Sequence, residues 1–136
     1  MIINKVNDIF IIYIYKDNFD DVDIFNYNDL SCLFKIIIKK IKRRYNINGF
    51  CDVNVYVDNN FGMIIEINNN YFDNVIDMKI KFHMDYIFFN EISCFWDYDD
   101  VFYFKNKLYT PYKKEIDSNV IYKESLDILN NGIKIK

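Results

Sequence analysis

Three cysteines, one histidine and two groups of aspartates are the residues of this chain whose types could do chemistry. Cys32, Cys51 and Cys94 are odd in number and far apart, and they form no Cys-x-x-Cys pair. Only His83 could join them as a nitrogen ligand at zinc. A reactive thiolate needs a cation beside it to lower its pKa, and none adjoins any of the three in sequence. They read as free, buried thiols of a reducing cytoplasm. His83 ends an alternating stretch on the row of Lys79 and Lys81, so an exposed, chemically neutral position is expected. Asp85 is the candidate carboxylate for orienting it as a base.

The aspartates fall at Asp17, Asp20, Asp21 and Asp23, and again at Asp97, Asp99 and Asp100. Carboxylates at that density suit Mg²⁺ or Ca²⁺, but the glycine and the distal glutamate of a calcium loop are missing. Solvated loop charge is the expectation. A divalent-metal hydrolase or nuclease is the alternative, and it requires Asp20, Asp21, Asp97 and Asp99 to converge. Gly49, Gly62 and Gly132 are the only glycines, so neither a phosphate-cradling loop nor a dinucleotide fingerprint can be written. A G-x-S-x-G elbow is absent too. No catalytic residue, metal ligand or cofactor is assigned.

Two stretches suit binding better than catalysis. Lys35, Lys39, Lys40, Lys42, Arg43 and Arg44 set six cations close together on a chain of net charge −3, which makes it strongly dipolar. Net acidity argues against nucleic acid, which draws on a broad positive field. A solvated helix face, or a site for an acidic protein, is the reading of this run. Between Tyr86 and Tyr112 stand 11 aromatic residues, too many for a single inward row. If residues 101 to 104 form a strand, Phe102 and Phe104 share one face and Tyr103 the other, so some rings must face outward unless a further element covers them. Rings interleaved with aspartates make a workable partner surface, and Phe95, Trp96, Tyr98, Phe102 and Tyr103 are its candidates, with Lys35, Lys39, Lys42 and Arg43 for the basic face.

These residues need positioning elements. Ile9 to Tyr15 reads as a strand covered on both faces or nearly so. Leu30, Leu33, Phe34, Ile37, Ile41 and Tyr45 lie at helical spacing, which predicts one long amphipathic helix over about 29–45. Cys51 to Val57 and Met63 to Ile67 form a hairpin across Asp58 to Gly62, with Val53, Val55, Val57, Met63, Ile65 and Ile67 pointing inward. Ile76 to Phe82 alternates strictly. Tyr86 to Ile92 is a further strand, and Val101 to Phe104 pairs with Leu108 to Tyr112 across Lys105 to Lys107. A shorter C-terminal helix is expected over about 120–130, followed by a frayed tail or terminal strand. The fold class is therefore α+β, an antiparallel sheet of five or more strands with the helix packed on it, in a single domain over 1–136.

The chain carries 24 Ile and 19 Asn and no Ala or Gln, the composition of an AT-rich genome, so Asn runs such as Asn68 to Asn70 say little about function. A hydrophobic content of 51% excludes disorder. Met1 to Tyr15 lacks the pattern of a secretory signal, and the apolar stretches are too short to span a membrane, so a cytoplasmic protein without membrane contact is expected. The order strand (Ile9 to Tyr15), acid-rich connection, helix (Leu30 to Tyr45) and hairpin (Val53 to Ile67) is similar to that of the N-terminal domain of MecA-type Clp adaptors. That likeness covers less than half the chain, contains no diagnostic motif and transfers no function. A small non-enzymatic interaction or regulatory module is the favoured function, adaptor-, inhibitor- or immunity-like, with a protein partner and a homo-oligomer left open.

Overall fold

A computed structural model describes residues 2–7, 9–19, 26–45, 51–69, 79–116 and 120–136. For Phe19, Tyr27, Ile38, Lys42, Tyr45, Cys51, Asn69 and Lys79 the backbone alone is described. Among the described residues the chain is mixed α and β, with two five-stranded sheets and two α-helices. The first sheet uses β1 (Ile2–Val6), β2 (Ile9–Tyr15), β3 (Cys51–Asp58), β4 (Gly62–Asn69) and β5 (Lys79–His83), in the order β1-β2-β4-β3-β5. The second uses β6 (Phe89–Ile92), β7 (Phe102–Phe104), β8 (Lys107–Pro111), β9 (Val120–Ile121) and β10 (Ile133–Lys134), in the order β10-β7-β8-β6-β9. Helix α1 spans Tyr27–Tyr45 and α2 spans Ser125–Asn131.

The expected single antiparallel sheet is corrected on two counts. There are two sheets, and β5 pairs with β3 in parallel, Val53 beside Ile80 and Tyr56 beside His83. Both edges of β4 are already taken by β2 and β3, and the connection from Asn69 to Lys79 is longer than a tight turn, so the next strand joins at the free edge of β3 and there runs parallel to it. The C-terminal helix is also shorter than expected. Val120 and Ile121 pair with Asn90 and Phe89 as β9, since two β-branched residues suit an edge strand better than a first helical turn, and α2 begins only at Ser125. Likewise the strand expected over 86–92 is confined to Phe89–Ile92, because Tyr86 gives its N–H to the Val57 carbonyl and so bridges the sheets. Of the alternating run at 76–82, residues 76–78 lie outside the described residues.

Three apolar clusters order the layers. Leu30, Phe34, Ile37 and Ile41 of α1 pack with Phe10, Ile12 and Ile14 of β2 and with the inward rows of β3 and β4. On the opposite face of the same sheet, Ile11 and Ile64 meet Phe61, Phe88, Tyr112 and Tyr122. Beyond the second sheet, Phe89, Tyr109, Phe102 and Phe104 close on Ile128 of α2. The sequence of layers is α1, first sheet, second sheet, α2.

Two turns fix the register. Gly62 has φ +125°, and a Cβ there would stand 2.4 Å from the Ile14 carbonyl oxygen, so only glycine lets the β3–β4 turn lie against the end of β2. Lys105 and Asn106 both have positive φ, 45° and 64°, which is the two-residue turn whose twist matches a hairpin.

Candidate functional site

The loop from Ser93 to Val101 joins β6 to β7 and presents an apolar group to solvent. Trp96 is 74% exposed, the largest exposure among the large hydrophobic side chains described. Its ring stacks on Phe95 with centroids 4.4 Å apart. The loop is held from both sides. Lys136 donates from Nζ to the carbonyl oxygens of Phe95 (3.3 Å) and Trp96 (3.1 Å), and Thr110 donates its hydroxyl to the Asp100 carbonyl at 2.7 Å. Val101, wholly buried, exchanges backbone bonds with Ile135 and Lys136. Trp96 thus stands on a fastened loop, which reduces the entropy lost when a partner binds it.

The other candidates divide. Tyr98 is half-buried, and Tyr103 is exposed with its hydroxyl donating to Asn106 Oδ1 at 2.7 Å. Phe102 points the other way, edge-on to Phe89 at 5.2 Å in the layer under α2. Tyr86, Phe88, Phe89, Phe104, Tyr109 and Tyr112 are absorbed into the two cores flanking the second sheet. On α1, Lys35, Lys39 and Arg43 are exposed on the face turned from the core, and Ile36 among them is 54% exposed. Lys42 lies in the helix, with its side chain outside the description. The basic face and the Trp96 loop are not brought together within one molecule, since α1 covers the face of the first sheet that is turned away from the second.

Among the described residues the aspartates do not assemble. Asp17 pairs with Lys114, Asp100 pairs with Lys134 at 3.3 Å, and Asp97 accepts the Cys94 thiol at 3.9 Å. Asp20, Asp21 and Asp23 lie outside the described residues. Among the described residues no group of three or more His, Cys, Asp or Glu is placed to hold a metal ion. Cys32 is exposed and Cys94 half-buried, and both are free. The expected burial of these two thiols is therefore corrected: Cys32 falls on the outer face of α1 and Cys94 on the β6–β7 loop.

Sequence reasoning missed a polar cluster in the seam between the sheets. Glu66 on β4 is 7% exposed, and its Oε2 accepts the Tyr122 hydroxyl at 2.8 Å, with Lys123 Nζ 3.6 Å away. Beside it His83, half-buried where an exposed position was expected, stacks on Tyr56 at 4.6 Å with Nε2 3.2 Å from Asn54 Oδ1. Burial, then the nearby Glu66 charge, pushes the Tyr56 phenol up to about 12. Burial and the Glu66 hydrogen bond raise Tyr122 still further. Burial and Lys81 lower the His83 imidazole, while Glu66 works against them. The signal that could have revealed this seam is Glu66 itself, the one charge inside the apolar run Met63 to Ile67.

Comparison with protein-family models, with curated proteins and with solved structures finds no match.

Proposed function

We propose that this chain is a non-enzymatic interaction module of the adaptor, inhibitor or immunity type, folded as one unit and working in the cytoplasm, and that the Trp96 loop is its partner-binding surface. The observation that carries the reading is Trp96 exposed on a loop fastened through Lys136 and Thr110. Leaving an indole in water forgoes a large burial energy, and tryptophan in a central, well-held position commonly dominates an interface. Asp97 and Asp99 are exposed around it and give the apolar centre a charged rim.

The test is paired. Affinity capture from the native host, read by mass spectrometry, compares the parent with Trp96→Ala, Tyr98→Ala and Lys39→Glu, and each variant's melting temperature is recorded. The expected result is a partner lost with Trp96→Ala at a nearly unchanged melting temperature, because the side chain it removes is solvated. A Trp96→Ala variant that captures the same partner as the parent would overturn the assignment.

A further inference from the structure

The two exposed surfaces are chemical counterparts. On α1, Ile36 is an apolar centre among Lys35, Lys39 and Arg43, with Cys32 one turn before it. On the β6–β7 loop, Trp96 is an apolar centre beside Asp97 and Asp99. Among the described residues, none of these five charged side chains enters an ion pair with another part of the chain. The loop is fastened to the second sheet, and α1 lies beyond the first. A single molecule therefore leaves both surfaces uncovered, while two molecules can bring one against the other.

We propose that a second copy of this chain is a partner of the Trp96 loop, which docks on the outer face of the neighbour's α1. This rests on the reading of the loop as a binding surface and names its occupant. The indole covers Ile36 and Cys32 of the neighbour, and Asp97 and Asp99 meet Lys35, Lys39 and Arg43. The apolar centre supplies affinity, and the charges set register and encounter rate, so the contact weakens with salt. It joins unlike surfaces and leaves each copy with one further loop or helix face to offer.

Sedimentation of the full chain over a dilution series, at low and at high salt, tests this. The expected result is a weight-average mass that climbs above the monomer's with concentration and falls back with salt. Trp96→Ala weakens association about thirtyfold, as for removal of a true anchor. The loop reversal Asp97→Lys with Asp99→Lys, and the helix reversal Lys35→Glu with Lys39→Glu, each weaken it about tenfold or more. All these positions are exposed, and circular dichroism confirms that each variant is folded. Mixing the two reversed variants restores association, because each altered patch then meets its complement on the other molecule. A parent that stays monomeric throughout overturns the inference, as does association indifferent to all three changes or a mixture that fails to associate. A monomeric parent whose Trp96 loop still captures an unrelated protein removes only the second copy and leaves the interaction module standing.

Discussion

Tyr122 reaches across the seam between the two sheets and donates its hydroxyl to Oε2 of Glu66 at 2.8 Å. Glu66 lies on β4, an interior strand of the first sheet, and Tyr122 directly follows β9 of the second. The bond therefore holds together parts of the chain that share no backbone ladder. Lys123 stands 3.6 Å from the same carboxylate oxygen and 5.9 Å from the Tyr122 ring centre, on the wetter side.

Replacing Tyr122 with Phe keeps the ring packing and removes the donor to a buried carboxylate. The expected cost is about 1.5–3 kcal/mol, the range for hydrogen bonds to charged groups. Glu66→Gln, which can still accept from the phenol, should cost less. Chemical denaturation of the two variants checks the order, and a Tyr122→Phe loss within about 0.5 kcal/mol, ordinary for a surface change, would remove the bond from the list of stabilising contacts.

The same seam predicts an alkaline limit. Tyr56 and Tyr122 are held above the usual tyrosine range of about 10, so the folded protein keeps both phenols neutral where the unfolded chain begins to ionise. The stability linked to them is intact below about pH 10 and is lost as pH rises through the folded values, since the unfolded state sheds its protons first. Ultraviolet titration of tyrosinate should show a late group of phenols in the native protein that joins the main transition in denaturant. All tyrosines ionising together near pH 10, with the fold intact, would contradict this.

Asp58 is a second link between the sheets. Its Oδ1 accepts the N–H of Asn60 at 2.7 Å and of Phe61 at 3.2 Å, closing the β3–β4 turn, while its Oδ2 accepts the N–H of Phe88 at 2.6 Å. Asp58→Ala leaves three donors without this partner and should cost about 3 kcal/mol. Asp58→Asn, which retains one acceptor oxygen, should fall between. Thermal melts of both variants decide it, and an alanine variant as stable as the asparagine one would mean that water replaces the carboxylate.

Ile37 sits in the α1 core cluster, 4% exposed. Its replacement by Ala should cost about 2–5 kcal/mol through lost burial and the cavity left behind. The neighbouring Ile36→Ala should cost under about 0.5 kcal/mol, because that side chain faces solvent. Equal losses at the two positions would mean that the helix faces are misassigned.

The two positions also show how far the sequence could be read. Helical spacing separated Ile37 from Ile36, and alternation placed Val53, Val55, Met63 and Ile65 on one face, where α1 covers them. Alternation says which face is apolar, but it does not say that the other face is bare. Tyr56, Glu66 and Tyr122 are amphipathic or polar, so the second covered face looked wet in sequence although paired hydroxyl and carboxylate groups let it close. The division into two sheets was hidden for a related reason, since strands of both sheets alternate alike. Val120 and Ile121 are too short a strand to show any period. In the aromatic span, the pattern correctly sent Phe102 and Phe104 to one side and Tyr103 to the other. It could not show that most of the remaining rings line two cores and leave Trp96 as the outlier.

Among the described residues, every strand of the first sheet precedes Met84, and every strand of the second follows Phe88. On the ribosome, α1 and the first sheet can therefore close while Tyr122 is still unmade, in keeping with folding of earlier segments first. At that stage the future seam is an open surface displaying Ile11, Ile64 and Tyr56, the kind of half-finished sheet to which other nascent chains adhere. Glu66 stands in the middle of it. Before the second sheet arrives, its charge acts as a gatekeeper against such adhesion. Once Tyr122 docks, the same carboxylate becomes an internal acceptor.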